Sequence, residues 1–158
     1  MHPFILATAL ACLTGYASHA RATATVTFAP AASMSDVPRF GADLAAMEMQ
    51  LREHLDELSA SLPAGQTLTV EFLDIDLAGD VFPRVPIRDV RVLKGTGDGP
   101  RLHFRYRIEE NGKVVRSGEQ QLHNPSYLTG ANRYPQDMYG HEKQMLELWF
   151  RKEGVVGR

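Results

Sequence analysis

The sequence predicts an α+β fold: a mainly antiparallel sheet of about five strands with two helices on one face, in the order β-α-β-β-β-β-α. Three observations point there. Phe40, Leu44, Met47, Leu51, Leu55, Leu58 and Leu62 recur at steps of three and four, drawing one apolar stripe along a long helix. "RLHFRYRIE" alternates strictly, with Leu102, Phe104, Tyr106 and Ile108 on one side and Arg101, His103, Arg105, Arg107 and Glu109 on the other. Between that run and "KVVRSGEQQL" stands Glu110-Asn111-Gly112-Lys113, where Asn-Gly supplies the two positive-φ residues of a type I′ hairpin turn.

The elements come in order. "MHPFILATALACLTGYASHARA" has no Asp, Glu, Lys or Arg before Arg21, and small residues follow a short apolar core. This is the pattern of a secretory leader, with cleavage after Ala20 or Ala22. The apolar run is too short for a membrane span, which needs about 20 residues. Cys12, the single cysteine, belongs to that core, because Ala9 stands where a lipoprotein signal places an aliphatic residue. Removing the leader leaves a cysteine-free chain expected to form one domain over 24–153, without a transmembrane span and in the periplasm or outside the cell. The net charge of −2 excludes bulk electrostatic attraction to nucleic acid.

"TATVTFAP" is a short strand ended by Pro30. Ser35 or Asp36 then caps the helix, with Pro38 in its first turn. The stripe could serve a coiled coil, but a helix docked on a sheet is simpler. "PAG" at 63–65 stops it. "QTLTVEFLDIDLAGD" is the second strand, "VFPRVP" a loop, "IRDVRVLKG" a further strand and "TGDG" a turn. The last helix runs from about Asp137 to Lys152, with Met138, Met145, Leu146, Trp149 and Phe150 inward.

The acidic strand carries the main candidate chemistry. Leu68, Val70 and Phe72 share one face, but from Leu73 the parity reverses and Asp74 and Asp76 fall on the core side. Burying ionised carboxylates without partners is prohibitive, so a β-bulge near Phe72 or Leu73 is expected to return both to the outside. Two alternatives stand beside it. The aspartates could be buried and hydrogen-bonded, or Asp74, Asp76 and Asp80 could form an oxygen cage for Ca²⁺ or Mg²⁺ or a two-carboxylate hydrolytic site.

Counting back from the Asn-Gly turn pairs Tyr106 with Ser117, Phe104 with Glu119 and Arg107 with Arg116. Glu119 then lies on the apolar face, and a basic stripe of Arg101, His103, Arg105, Arg107 and Arg116 covers the other. That stripe is expected to be a solvated face neutralised by acidic neighbours, an anionic envelope polymer being the alternative occupant. Surface positions are expected for His54, His103, His123 and His141, which lack zinc spacing. No nucleophile elbow, phosphate loop or cysteine pair occurs, and no cofactor is implied. The aperiodic stretch from His123 to Gln136 carries Tyr127, Asn132, Arg133 and Tyr134, side chains suited to binding.

"QTLTVEFLDIDLAGD", the hairpin "RLHFRYRIEENGKVVRSGEQQL" and the closing "RYPQDMYGHEKQMLELWFRKE" together resemble a family of uncharacterised exported bacterial proteins, domain of unknown function 3016. The resemblance spans about residues 24 to 152, with Asp74, Asp76, Glu142, Lys143 and Trp149 at its motif positions. It implies an exported protein and no particular activity. The expectation is a non-enzymatic envelope protein that binds a small ligand, polymer or protein partner through the sheet edge and the 123–137 loop, using Asp74, Asp76, Glu119, Tyr127, Arg133 and Tyr134. The alternatives are a carboxylate- or metal-dependent hydrolase centred on Asp74, Asp76 and Asp80, and a subunit of a larger envelope assembly.

Overall fold

The computed structural model describes residues 22–82 and 90–153. The expected leader therefore lies outside the described residues, as do most of the "VFPRVP" loop and the start of "IRDVRVLKG". The elements are β1 (Ala24–Phe28), a short 3₁₀ turn (Ala31–Ser33), α1 (Gly41–Ser59), β2 (Gln66–Asp76), β3 (Asp80–Val81), β4 (Arg91–Val92), β5 (Arg101–Glu110), β6 (Lys113–His123) and α2 (Gly140–Lys152). The fold is α+β and its order broadly matches the expected one, with one further short strand, β3, after β2.

The strands divide differently from the expectation of one five-stranded sheet. Four form the sheet, in the order β1-β2-β5-β6, while β3 and β4 make a separate two-stranded ribbon. β1 lies parallel to β2, because the chain returns through α1, a crossover long enough to permit parallel pairing. β2, β5 and β6 are antiparallel.

One face of the sheet and both helices enclose the core. Met47, Leu51 and Leu55 of α1 and Leu146, Trp149 and Phe150 of α2 pack with Leu68, Val70, Phe72, Phe104 and Tyr106 of the sheet. Trp149 stands edge-on to Phe104 and Tyr106, with centroids 4.7 and 5.1 Å away. Two expected helix starts move. Phe40, not Ser35 or Asp36, is the N-cap of α1, because Ser35 and Asp36 bond to the far end of β2 instead. α2 begins at Gly140, which leaves Met138 ahead of the helix and 77% exposed rather than inward. His54, expected at the surface, is buried between the helices. Its Nε2 donates to the Lys143 carbonyl at 3.0 Å, and burial lowers its pKa.

The expected bulge is present. The β2–β5 register shifts between Phe72 and Asp74, so Leu73 is the unpaired residue. Phe72 and Ile75 both face the core at 0% exposure, while Asp74 pairs with His103 and Asp76 with Arg101 on the outer side. A second bulge departs from the sequence expectation. The hairpin turn is type I′ as expected, with φ of 52° at Asn111 and 78° at Gly112. Beyond it, however, Glu109 pairs with Val114 and Ile108 with Arg116, skipping Val115.

That skipped residue corrects three expectations. Glu119 pairs with Arg105 on the outer face, not with Phe104 on the core face. Arg107 sits opposite Ser117, not Arg116. Arg116 leaves the basic stripe and donates to the Glu153 carbonyl at the end of α2. The outer arginines are neutralised by neighbours: Arg101 by Asp76 at 3.0 Å, Arg105 by Glu119 at 2.9 Å and Arg107 by Glu109 at 3.0 Å.

The Leu73 bulge makes a sharp expectation. Deleting Leu73 should leave a regular strand with every face correct, costing only about 1–2 kcal/mol of partial leucine burial. Deleting Thr69 should turn Val70 and Phe72 outward and Glu71 toward the core even as the bulge closes, costing roughly 4 kcal/mol or more. Urea unfolding of the two deletion variants measures the difference. Equal losses would contradict the assigned bulge.

Candidate functional site

The site grows out of the turn after β2, Leu77-Ala78-Gly79. Buried backbone needs partners for every N–H and C=O, and here distant residues supply them. The Leu77 N–H bonds to the Asp36 carbonyl (3.2 Å), the Gly79 N–H to the Asp98 carbonyl (2.9 Å), and the Ala78 N–H to the Glu142 carboxylate (2.7 Å). All three carbonyls accept from Arg91 of β4. Its Nη2 lies 3.0 Å from Leu77 O and 2.7 Å from Gly79 O, and its Nε 2.9 Å from Ala78 O. The same guanidinium pairs with Asp36 at 2.5 Å. Gly79 has φ of +77°, and a Cβ there would meet the Val92 carbonyl at 2.7 Å, so glycine is required.

The turn forms one wall of a cleft of about 630 Å³. The start of α1 (Pro38, Asp43), β4 and its flanks (Val90, Arg91, Leu93) and the entry to α2 (Pro135, Asp137, Met138, Tyr139, His141, Glu142) form the others. The size is that of a small-molecule site. Glu142 is its buried carboxyl, 2% exposed. Burial raises its pKa, against the lowering effects of the Ala78 N–H, its own N–H and the charge of Arg91. No side-chain donor bonds to either oxygen among the described residues. Burial, with Asp43 and Glu142 nearby, also raises Tyr139, and burial lowers His141. Asp137 is paired with Lys143 at 2.8 Å.

The residues singled out from the sequence are dispersed. Asp74 accepts from the N–H and hydroxyl of Ser35 at 2.6 and 2.8 Å. Asp76 pairs with Arg101; burial pushes its carboxyl up and Arg101 partly offsets this. Asp80 pairs with Lys94. The three aspartates thus have three separate ties, and the hydrolase reading gains no common centre. Among the described residues no group of three or more His, Cys, Asp or Glu is placed to hold a metal ion. Glu119 takes hydrogen bonds from His103 (2.7 Å) and Arg105 (2.9 Å), which hold it below its ordinary value on the open sheet face.

The 123–137 stretch is anchored inward. Tyr127 is 2% exposed, donates to Asp98 at 2.8 Å and stands edge-on to His141. Arg133 and Tyr134 both reach Glu147 of α2, at 2.5 and 3.1 Å. Burial pushes Glu147 up, but Tyr134, Arg133 and Arg151 outweigh it and hold it below its ordinary value. Burial and the same carboxylate push Tyr134 up to about 12.

Sequence reasoning misses Glu142 and Arg91 as site residues. One signal for Glu142 is available: it precedes Met145, Leu146 and Trp149 at helical spacing, so a carboxyl sits on the apolar stripe of α2. Arg91 gives no such signal, since most of its acceptors are backbone carbonyls. Among the described residues no helix is long and apolar enough to cross a membrane.

This geometry can be tested at two places. Glu142→Gln keeps an acceptor for Ala78 and removes the ionisation. The folded-state pKa of Glu142 lies above the unfolded one, so its contribution is intact below the unfolded value and is lost as pH rises through the folded one. The variant should therefore gain stability over wild type as pH rises from about 4 to 8, read by thermal melts. A pH-independent difference would contradict the burial. Tyr134→Phe should lose about 1 kcal/mol, and Arg133→Ala less because its guanidinium is solvent-screened. Unchanged melts for both would contradict their anchoring role.

Comparison with known proteins adds the family. None of the curated proteins matches this chain. A solved structure, a dodecamer of a PelC variant from Paraburkholderia phytofirmans, aligns over 83% of this chain and 88% of its own, at 11% identity and a TM-score of 0.35. At that score the likeness carries no argument. The family described as "Protein of unknown function (DUF3016)" matches residues 22–152, well over half of the chain. The chain belongs to that family.

Proposed function

We propose that this chain is an exported, non-enzymatic binding protein whose ligand enters the cleft between the Leu77-Ala78-Gly79 turn, β4 and the start of α2. The observation that carries the reading is Glu142: a carboxyl 2% exposed, in the wall of a cleft of about 630 Å³, with no side-chain donor bonded to it among the described residues. Burying such a group works against stability, and groups of this kind gather at functional sites. The leader-like first residues support export.

The binding role moves from the sheet edge to the cleft, to which the 123–137 loop contributes Pro135 and Asp137 while its Arg133 and Tyr134 are engaged by Glu147. A binding role accords with Asp74, Asp76 and Asp80 being tied to Ser35, Arg101 and Lys94 and lying outside the lining of the cleft. The cleft also has a rigid frame, since Arg91 and Asp36 fasten the turn that walls it.

Amide NMR shifts under a mixed panel of cationic, neutral and anionic fragments provide the test. Perturbations are expected to gather at Ala78, Arg91, Leu93, Tyr139 and Glu142, with the Ala78 amide as the direct reporter. Perturbations gathered elsewhere, or none across the panel, would overturn the assignment of the cleft.

A further inference from the structure

We infer that the cleft receives a primary alkylammonium group, free or as the side chain of a lysine, with the ammonium against Glu142 and its alkyl chain along the apolar walls. The inference rests on the cleft being the binding site and adds the chemistry of the ligand.

Charge selects the sign. Glu142, Asp43 and Asp137 contribute carboxyls to the lining, against Arg91 and His141 as the basic residues. Arg91 is not available to an anion: Asp36 and three backbone carbonyls take its guanidinium, and only 19% of its side chain is exposed. Burial lowers the pKa of His141, and Asn132 Nδ2 lies 3.4 Å from its Nδ1, a contact that suits an imidazole nitrogen without its proton; both disfavour a positive charge there. Asp137 already holds Lys143, whereas Asp43 has no ion pair among the described residues. Among the described lining residues an anionic ligand would therefore meet carboxyls and an already engaged Arg91, whereas a cationic one would complete the carboxyls.

Geometry selects the kind of cation. A guanidinium binds best as a fork across both oxygens of a carboxylate. Two backbone N–H groups, from Ala78 and Glu142 itself, already face the Glu142 carboxylate. That leaves room for a compact point charge with rotatable donors, which is an ammonium. Leu77, Val90, Leu93, Pro38, Pro135 and Met138 supply the apolar surface that an alkyl stem would cover. Leu93 and Met138 are 45% and 77% exposed, so the apolar lining continues out of the cleft to solvent.

The experiment compares n-hexylamine, n-hexanol and n-hexanoate by NMR titration, with a second arm using a capped Leu-Lys-Leu peptide. Hexylamine should bind at least ~10-fold more tightly than the alcohol and the acid, shifting the Ala78 amide. Glu142→Gln should weaken the amine by about tenfold and leave the alcohol unchanged. Asp43→Asn, which disturbs no bond in the turn, should weaken the amine by a smaller factor. Tighter binding of the peptide identifies a lysine-bearing partner, and tighter binding of hexylamine a free amine; either result supports the inference. Hexanol or hexanoate binding as tightly as the amine at the cleft would overturn the inference while leaving the cleft as the site. Failure of all probes at the cleft would remove both.

Discussion

The constraint on which the rest depends is a single unpaired residue, Leu73, in β2. A strand in which Leu73 took a regular ladder position would turn Asp74 and Asp76 into the core beside Phe104 and Leu102. Effective penalties for burying an unpaired ion are several kcal/mol each, larger than the loss of one ladder position. The bulge settles the conflict by keeping Phe72 and Ile75 both at 0% exposure. It also sets the phase of the turn beyond the strand. With Ile75 inward, Leu77 and Ala78 arrive buried against the start of α2, where the Ala78 N–H meets Glu142.

From that point the molecule separates structural carboxylates from an uncompensated one. Glu147 and Glu142 lie on the same helix and are 4% and 2% exposed. Glu147 has two arginines and a tyrosine hydroxyl and is held below its ordinary value. Glu142 has backbone N–H groups and is pushed above it. The contrast is the physical basis for assigning the cleft, because the fold places guanidiniums on the buried Glu147 and, among the described residues, bonds none to Glu142. The two sequence runs on which the family resemblance rests, Asp-Ile-Asp-Leu-Ala-Gly and Glu-Lys-x-Met-Leu-x-x-Trp-Phe, meet in space through this one hydrogen bond. Trp149 and Lys143 serve the frame: Trp149 packs on Phe104 and Tyr106, and Lys143 reaches Asp137 and Gln50.

Much of the fold is legible where one face of an element is buried. The α1 stripe, the β5 alternation and the reversal of parity in β2 are all patterns written by the core, and they locate the first bulge to within a residue. The second bulge, at Val115, leaves no such trace. β6 is an edge strand exposed over most of its length on both sides, so no parity change marks the skipped residue. Register counted from the turn alone is therefore off by one, which misplaces Glu119 and Arg116. The helix caps fail for another reason. Ser35 and Asp36 are good local caps, but Asp74, Arg91 and the end of β2, far away in sequence, take them instead. Composition makes Tyr127, Arg133 and Tyr134 look like surface binders; their partners, Asp98 and Glu147, are visible only after folding.

The most direct measurement of the central claim is the ¹³C chemical-shift titration of the Glu142 carboxyl in the intact protein. A buried, uncompensated carboxyl should titrate above its ordinary value of 4.5 and move down toward that value when a cationic ligand fills the cleft. A midpoint at or below the ordinary value in the empty protein would mean that the carboxyl is solvated or already paired, and the account of the cleft would fail.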